Sequence, residues 1–271
     1  SMTFFYGVVM GKTPAVANQP SQTLAKGLMI LEAFDPQQPT LGIRELARKL
    51  DMNPATVVRL VTTLESAGYL TQDAKTQRYG LGPVLMKLAS LYMHHNPLPQ
   101  FARRVFETYA DRFEYNFYLG TLSGHQVIYL AVLDGRGRIK VVVEAGGSTG
   151  LHSTALGKVL LAFQSDEFIH DFIRRSGLPA YTENSITKPD LLWKQIRDIR
   201  LTGIAVNNGE HFEDIAAIAT PVFGADGKVI AGMSLAYPRH LYPDAKAYQE
   251  RISALLREIA EEINTYTATH S

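Results

Sequence analysis

The sequence predicts an α+β protein with a small helical N-terminal domain and a larger domain in which helices flank an antiparallel sheet. Residues 41–82 contain two short amphipathic helical segments followed by two β-prone runs. After residue 98, strand-like segments separated by short turns alternate with helical segments. A chain of 271 residues with 46% hydrophobic content can supply two cores.

The first helical segment of the small domain has one apolar stripe. Its members are spaced i, i+3, i+4 and i+7, namely Ile43, Leu46, Ala47 and Leu50. Such a short helix is unstable in isolation, so we expect this stripe to pack on a neighbouring element. Residues 51–53 interrupt the apolar pattern, and a second helix is predicted to follow after a short turn.

The second helix has clear start and stop signals. Asn53 suits the N-cap and Pro54 the first helical position, where a missing N–H costs nothing. Gly68 suits the position just after the helix end. The expected buried stripe is Val57, Leu60, Val61 and Leu64. Two β-prone runs, 69–71 and 78–81, then form a hairpin, which completes the order of a winged helix-turn-helix.

The outward face of the second helix is short, polar and cationic, which suits the major groove of DNA. The basic residues of the first helix, taken alone, are better explained by a solvated face than by contact with DNA. The order of two helices, a capped turn and a basic hairpin favours DNA. The predicted DNA contacts are Arg44, Asn53, Thr56, Arg59, Thr63, Lys75 and Arg78.

Two further helices are expected around this motif. Residues 23–34 place Leu24, Ala25, Leu28 and Leu31 on one face, and residues 83–95 form a linker helix. The apolar side chains of the linker helix fit either a dimer interface or an intrachain core. The predicted organisation is a flexible arm at 1–22, the DNA-binding domain at 23–82, the linker helix at 83–97 and the second domain at 98–271.

The second domain begins with three strand candidates in a meander, at 116–122, 126–133 and 138–145. A helix is expected within 152–163. A hairpin follows at 219–224 and 228–237, and a long amphipathic helix closes the chain.

Composition and motifs exclude several functions. The chain has no cysteine, so disulfides, thiolate metal sites and a thiol nucleophile are excluded. Its net charge is +1, which does not exclude DNA binding, because the positive charge can be local to one domain. Gly157-Lys158 lacks the flanking residues of a phosphate-binding loop, and no nucleophile elbow accompanies His152-Ser153. We expect no enzyme, no cofactor and no metal site. No export or membrane-spanning signal is present, so a cytoplasmic location is expected.

The chain resembles the IclR family of bacterial transcriptional regulators from Thr23 to about Asn264. The resemblance rests on NPATVVRLVTTLESAGYL, QRYGLG, LHSTALGKVLLAF, RLTGIAVNNGEHFEDIAAIATPV and DGKVIAGMSLAYP. It implies a winged-helix domain joined by a helix to a GAF-like effector-binding domain, in a homodimer or homotetramer that represses or activates transcription at an operator in double-stranded DNA.

The resemblance also implies a pocket for a small organic acid or aromatic metabolite. The matching positions are Ala155, Leu156, Asn207, Ala217 and Ser234. The family commonly has an acidic residue at Asn207, a cysteine at Ala217 and a small hydroxyl residue at Ala236. Losing these polar groups favours an aromatic or less polar ligand.

The residues themselves support an anion at this turn. A helix starting near Thr154 presents free N–H groups, while Ser153 or Thr154 serves as its cap.

The function expected for the whole chain is therefore that of a DNA-binding regulator controlled by a metabolite. The alternative function is a GAF-type metabolite sensor whose winged helix mediates protein contacts rather than DNA binding.

Overall fold

A computed structural model describes residues 20–110, 116–135, 145–241 and 245–269. The chain divides into two compact units, the first ending at Asn96 and the second beginning at Pro97. The elements of the first unit are α1 (Gln22–Leu31), α2 (Ile43–Lys49), α3 (Pro54–Ser66), β1 (Leu70–Gln72), β2 (Tyr79–Leu81) and α4 (Val84–His95).

The α2–turn–α3 segment forms as predicted. Asn53 caps α3, because its side chain accepts a hydrogen bond from the N–H of Ala55 and Pro54 follows at the first helical position. Gly68 has φ +77°, a backbone conformation in which glycine is unstrained, and lies just after the helix. The core of this unit buries Leu46 and Ala47 of α2 together with Val57, Leu60 and Val61 of α3.

The two strands of the wing pair antiparallel, with Leu70 opposite Leu81. This hairpin, the wing, therefore forms where the two β-prone runs predict it.

The apolar face that the sequence predicts for α1 is not the face that this helix buries. Leu24 is 63% exposed and Leu28 is also exposed, whereas α1 buries Gly27 and Ile30. The helix has two apolar faces, and the chain itself covers the one that contains Ile30. No residue of α4 is buried, and Met86 is 74% exposed. Among the described residues of the first unit, none of α4 belongs to the core cluster.

The described part of the second unit is built around an antiparallel sheet of six strands in the order β5-β4-β3-β8-β7-β6. Its elements are α5 (Leu98–Tyr109), β3 (Asn116–Ser123), β4 (Gln126–Leu133), β5 (Ser148–Gly150), α6 (Ala155–Ala162), α7 (Asp166–Ser176), α8 (Pro189–Thr202), β6 (Ala205–Asn208), β7 (Ile215–Phe223), β8 (Val229–Pro238) and α9 (Ala245–Thr269). A short 3-10 helix spans Arg239–Leu241.

Helices cover both faces of this sheet, so the predicted α+β arrangement is confirmed. One core cluster joins the sheet to α5 and α9, and includes Phe106, Phe117 and Leu256. The other joins it to α6, α7 and α8, and includes Tyr118, Leu156 and Ile196. Residues 138–144 of the predicted strand and residues 1–19 of the predicted arm lie outside the described residues, and Ala145 lies in a turn.

Candidate functional site

The outward surface of α3 lies opposite its buried stripe. Ala55, Val58, Arg59 and Thr62 are all exposed, and their spacing of i, i+3, i+4 and i+7 places them on one face. Thr63 is exposed, but its hydroxyl donates a hydrogen bond of 3.0 Å to the carbonyl oxygen of Arg59. Of Thr56, Arg59 and Thr63, which were predicted from the sequence, Arg59 and Thr63 are exposed and Thr56 is half-buried.

The other predicted DNA contacts differ in whether their side chains already bind other residues of the protein. Arg44 and Lys75 are exposed. Arg78 donates from Nε and Nη2 to the hydroxyl and carbonyl oxygens of Thr40, and its Nη2 lies 2.8 Å from a carboxylate oxygen of Glu45. Arg78 therefore ties the wing to α2. Asn53 uses its side-chain oxygen to cap α3.

The second unit contains a pocket between the N-terminus of α6 and one face of the sheet. Its volume is about 670 Å³, including the open mouth, and its surface is mostly apolar. The lining residues are Tyr118, Tyr129, Ser148, Thr149, Thr154, Ala155, Leu156, Asn207, His211, Phe212, Ile215, Ala217, Ser234 and Ala236. A pocket of this size can enclose a small organic molecule.

Strand pairing explains which side chains meet there. Tyr118 of β3 lies opposite Ser234 of β8, and Ala217 of β7 lies opposite both Asn207 of β6 and Ala236 of β8. Directly opposed residues project from the same face of a sheet, so these side chains share the pocket. All five residues that the resemblance implied are therefore brought together in the lining.

The start of α6 supplies hydrogen-bond donors. Thr154 is the N-cap, and its hydroxyl accepts from the N–H of Gly157 at 3.0 Å. The N–H groups of Ala155 and Leu156 have no acceptor within the described part of the chain. A Cβ at Gly157 would lie 2.3 Å from the carbonyl oxygen of Gly150, so only glycine permits this close approach. The free N–H groups and the helix dipole favour an anion at this end of the pocket.

Asn207 organises the pocket wall through its side-chain amide. Its Nδ2 donates to the carbonyl oxygen of Ser153, and its Oδ1 accepts from the N–H groups of Gly209 and Glu210 at 3.1 and 3.2 Å. These three bonds hold the loop after β6 against the turn before α6. Asn207 is thus a positioning residue in this structure.

His211 is the titratable group that this loop brings into the pocket. Its Nδ1 shares a hydrogen bond of 2.8 Å with Ser153 Oγ, while its Nε2 has no partner among the described residues. Burial lowers the pKa of His211, and the nearby His152 lowers it further. The described lining contains no lysine or arginine. A bound anion would therefore depend on backbone N–H groups, hydroxyls and His211.

A buried lysine of α6, Lys158, holds the loop that follows β6 and carries His211. Lys158 of α6 donates from Nζ to the carbonyl oxygen of Val206 at 2.6 Å and to the side-chain oxygen of Gln195 at 2.8 Å, and it pairs with Glu210. Hydroxyls of Thr182 and Ser185 donate to the carbonyl oxygens of Gly209 and Glu210, respectively. The position of His211 is thereby fixed from several elements.

The two pocket tyrosines and His211 are not among the residues predicted from the sequence. Burial raises the pKa of Tyr118, and it raises the pKa of Tyr129 to about 12, so both phenols are neutral at neutral pH. Their rings lie 5.5 Å apart between centroids. Tyr118 lies opposite Ser234 because β3 pairs with β8, and the sequence of β3 alone does not show this pairing. No local spacing signals His211.

The described residues offer neither a metal site nor a membrane-spanning helix. Within residues 20–110, 116–135, 145–241 and 245–269, no group of three or more His, Asp or Glu residues is arranged to hold a metal ion. No helix in the same ranges has the length and apolar character to cross a membrane.

Comparisons with known proteins decide the family. A family model described as the IclR helix-turn-helix domain matches residues 23–74, and one described as the C-terminal domain of bacterial IclR transcriptional regulators matches residues 90–265. The chain belongs to the IclR family. It is therefore a transcriptional regulator with a DNA-binding helix-turn-helix domain and a C-terminal effector domain, and its homologues are regulators rather than enzymes.

Individual relatives of this IclR protein agree. It is 29% identical over 222 residues to the transcriptional regulator BhcR of Paracoccus denitrificans, covering 81% of this chain and 80% of that protein. A crystal structure of an IclR regulator from Silicibacter sp. TM1040 has a TM-score of 0.82 at 28% identity, covering 91% of this chain and 96% of the other. An IclR homologue from Microbacterium hydrocarbonoxydans, solved with 4-hydroxybenzoate, shares the fold at 23% identity with a TM-score of 0.76, covering 92% and 100%.

Proposed function

We propose that this IclR regulator binds a specific operator through α3 and that a small carboxylate with an apolar, aromatic-sized body controls its affinity for DNA. The observation that carries the effector assignment is the pocket at the start of α6. It combines two free N–H groups, those of Ala155 and Leu156, with an apolar wall and no lysine or arginine in its described lining. Such a site suits one anionic group attached to an apolar body.

The size and walls of the pocket support the aromatic-sized body. The rings of Tyr118, Tyr129 and Phe212 line it, and aromatic side chains offer faces and edges to a flat ligand. The hydroxyls of Ser148, Thr149 and Ser234 provide the few polar contacts that fix orientation.

Binding controls DNA only if the ligand prefers one arrangement of the protein. We infer that the carboxylate selects one arrangement of the effector domains and so changes the separation of paired winged helices. The protein is then a homodimer or homotetramer. The exposed apolar residues of α1 and α4 support a second copy as their cover, namely Leu24, Leu28, Met86, Leu88, Leu91 and Tyr92.

The DNA-binding part is tested first with randomised duplex DNA. Full-length protein is used to select bound sequences, and the enriched site is measured by fluorescence anisotropy. Arg59→Ala should abolish specific binding with the fold and oligomeric state unchanged, because Arg59 is exposed on the outward face of α3. Retained sequence-specific binding by this variant would contradict the assignment of Arg59.

The effector part is tested by thermal-shift screening against carboxylic acids, with benzoate and 4-hydroxybenzoate among them, and by repeating the DNA measurement with each stabilising compound. Ser234→Leu should fill the pocket, keep DNA binding and remove the response. Ala217→Leu in the pocket and Ala225→Leu in an exposed turn form a matched pair. We expect Ala217→Leu to lose the response to the compound and Ala225→Leu to keep it. An unchanged response in both Ser234→Leu and Ala217→Leu would show that the effector does not act through this pocket.

A further inference from the structure

Val58 is an apolar residue at the centre of the outward surface of α3. Its side chain is 47% exposed and belongs to neither the buried core of this unit nor the partly buried residues packed against it. A β-branched side chain on the exposed face of a helix is less favourable than alanine. The stability of α3 therefore does not account for valine at this position.

The neighbours of Val58 define what it can meet. Ala55 lies three residues before it and Thr62 four residues after it on the same exposed face, and Arg59 is adjacent. The first two turns of the helix thus present the apolar side chains of Ala55 and Val58 next to one guanidinium. Arg44 on α2 and Lys75 at the wing are also exposed, so cations occur on the elements before and after α3.

The bases of the major groove differ in one apolar group. Thymine alone carries a C5-methyl group there, whereas guanine offers two acceptors that an arginine can bind together. The N-terminal part of a recognition helix is the part that reaches base edges. We propose that Val58 is a specificity-determining residue that contacts the C5-methyl group of a thymine, next to a guanine contacted by Arg59. This inference rests on the proposed insertion of α3 into the groove.

The test removes one methyl group at a time from the DNA. In the site enriched from randomised duplexes, each thymine is replaced in turn by uracil, and affinity is measured for the native protein and Val58→Ala. Burying one methyl group corresponds to about a fourfold change in affinity. We expect one thymine in each half-site at which uracil weakens native binding about fourfold and leaves Val58→Ala unaffected.

Controls separate this contact from general effects. Leu201→Ala, an 86% exposed leucine in the other unit, should keep the native response to every uracil substitution. Circular dichroism should show native helical content and an unchanged thermal transition for Val58→Ala, because alanine favours a helix.

The possible outcomes are distinct. Failure to enrich any sequence would contradict the proposed function itself. An enriched site in which no uracil effect depends on Val58, including a site without thymine, would overturn this inference and leave the DNA-binding function standing.

Discussion

The ammonium group of Lys158 lies 2.6 and 2.7 Å from the two carboxylate oxygens of Glu210, and both side chains are buried. Burial lowers the pKa of Lys158 and raises that of Glu210, while their mutual attraction acts in the opposite direction on each. The pair joins the helix that supplies the free N–H groups of the pocket to the loop that carries His211. It is therefore a support of the pocket rather than a part of its lining.

We predict that Lys158→Met destabilises the protein by about 3–5 kcal/mol, because a buried carboxylate loses its cation. The double variant Lys158→Met/Glu210→Leu should recover much of this loss, since no unpaired charge remains. Urea denaturation at neutral pH measures both. A single variant with native stability, or a double variant less stable than the single one, would contradict the role assigned to the pair.

The side-chain amide of Asn207 leads to a second prediction. Asn207→Asp would place a carboxylate oxygen against the carbonyl oxygen of Ser153, where Nδ2 now donates. We expect a loss of about 1–3 kcal/mol in unfolding free energy, typical of an unsatisfied buried polar group. The loss should diminish in acid, because a protonated carboxyl group can donate to Ser153.

Asn208→Asp is the matched control, since Asn208 is the next residue and is exposed. It should change the free energy of unfolding little at any pH. Equal effects of the two substitutions would show that the hydrogen bonds of Asn207 do not hold the loop.

Several features could be predicted from the sequence because they depend on neighbours along the chain. Asn53 and Pro54 mark the start of α3, and Gly68 marks its end, through local backbone requirements. The buried stripe of α3 follows from helical periodicity. The resemblance indicated the turn before α6, and the preference of hydroxyl residues for the N-cap predicted Ser153 or Thr154 there, of which the structure has Thr154.

Other features depend on contacts distant in sequence. Periodicity showed that α1 has an apolar face, but not that the chain covers Ile30 and leaves Leu24 exposed. His211 enters the pocket because its loop packs on Ser153, a contact across 58 positions. Arg78 was expected at DNA because it is basic and in the wing, whereas the structure engages it with Thr40 and Glu45.

The wing therefore offers a direct comparison of two cations. Lys75 is exposed, and if it contacts a phosphate, Lys75→Ala should reduce the slope of log affinity against log salt by about 0.9. Arg78→Ala should leave this slope unchanged and weaken binding by loosening the wing. Anisotropy titrations over a range of salt concentrations measure both slopes. An equal fall for Arg78→Ala would show that Arg78 leaves Glu45 for a phosphate, as the sequence predicted.

Two histidines, His152 and His211, should make the stability of the protein depend on pH. Burial lowers the pKa of His152, with a smaller contribution from the charge of Lys158, and it lowers the pKa of His211 in the same direction. In the unfolded chain both groups titrate near the ordinary value of about 6.5. The unfolded state therefore binds more protons than the folded state as the pH falls below that value, and the folded state loses stability.

Thermal unfolding between pH 7.5 and 5 measures this loss. We expect Tm to be highest above about pH 6.5 and to fall on acidification, since the folded protein resists protonation of His152 and His211. His125, whose pKa is also lowered chiefly by burial, contributes in the same window. His211→Gln should reduce the fall, because one of these groups is removed while an amide can still bond to Ser153. A constant Tm over this range, or the same fall in His211→Gln, would mean that His211 is as free to take up a proton in the folded pocket as in the unfolded chain.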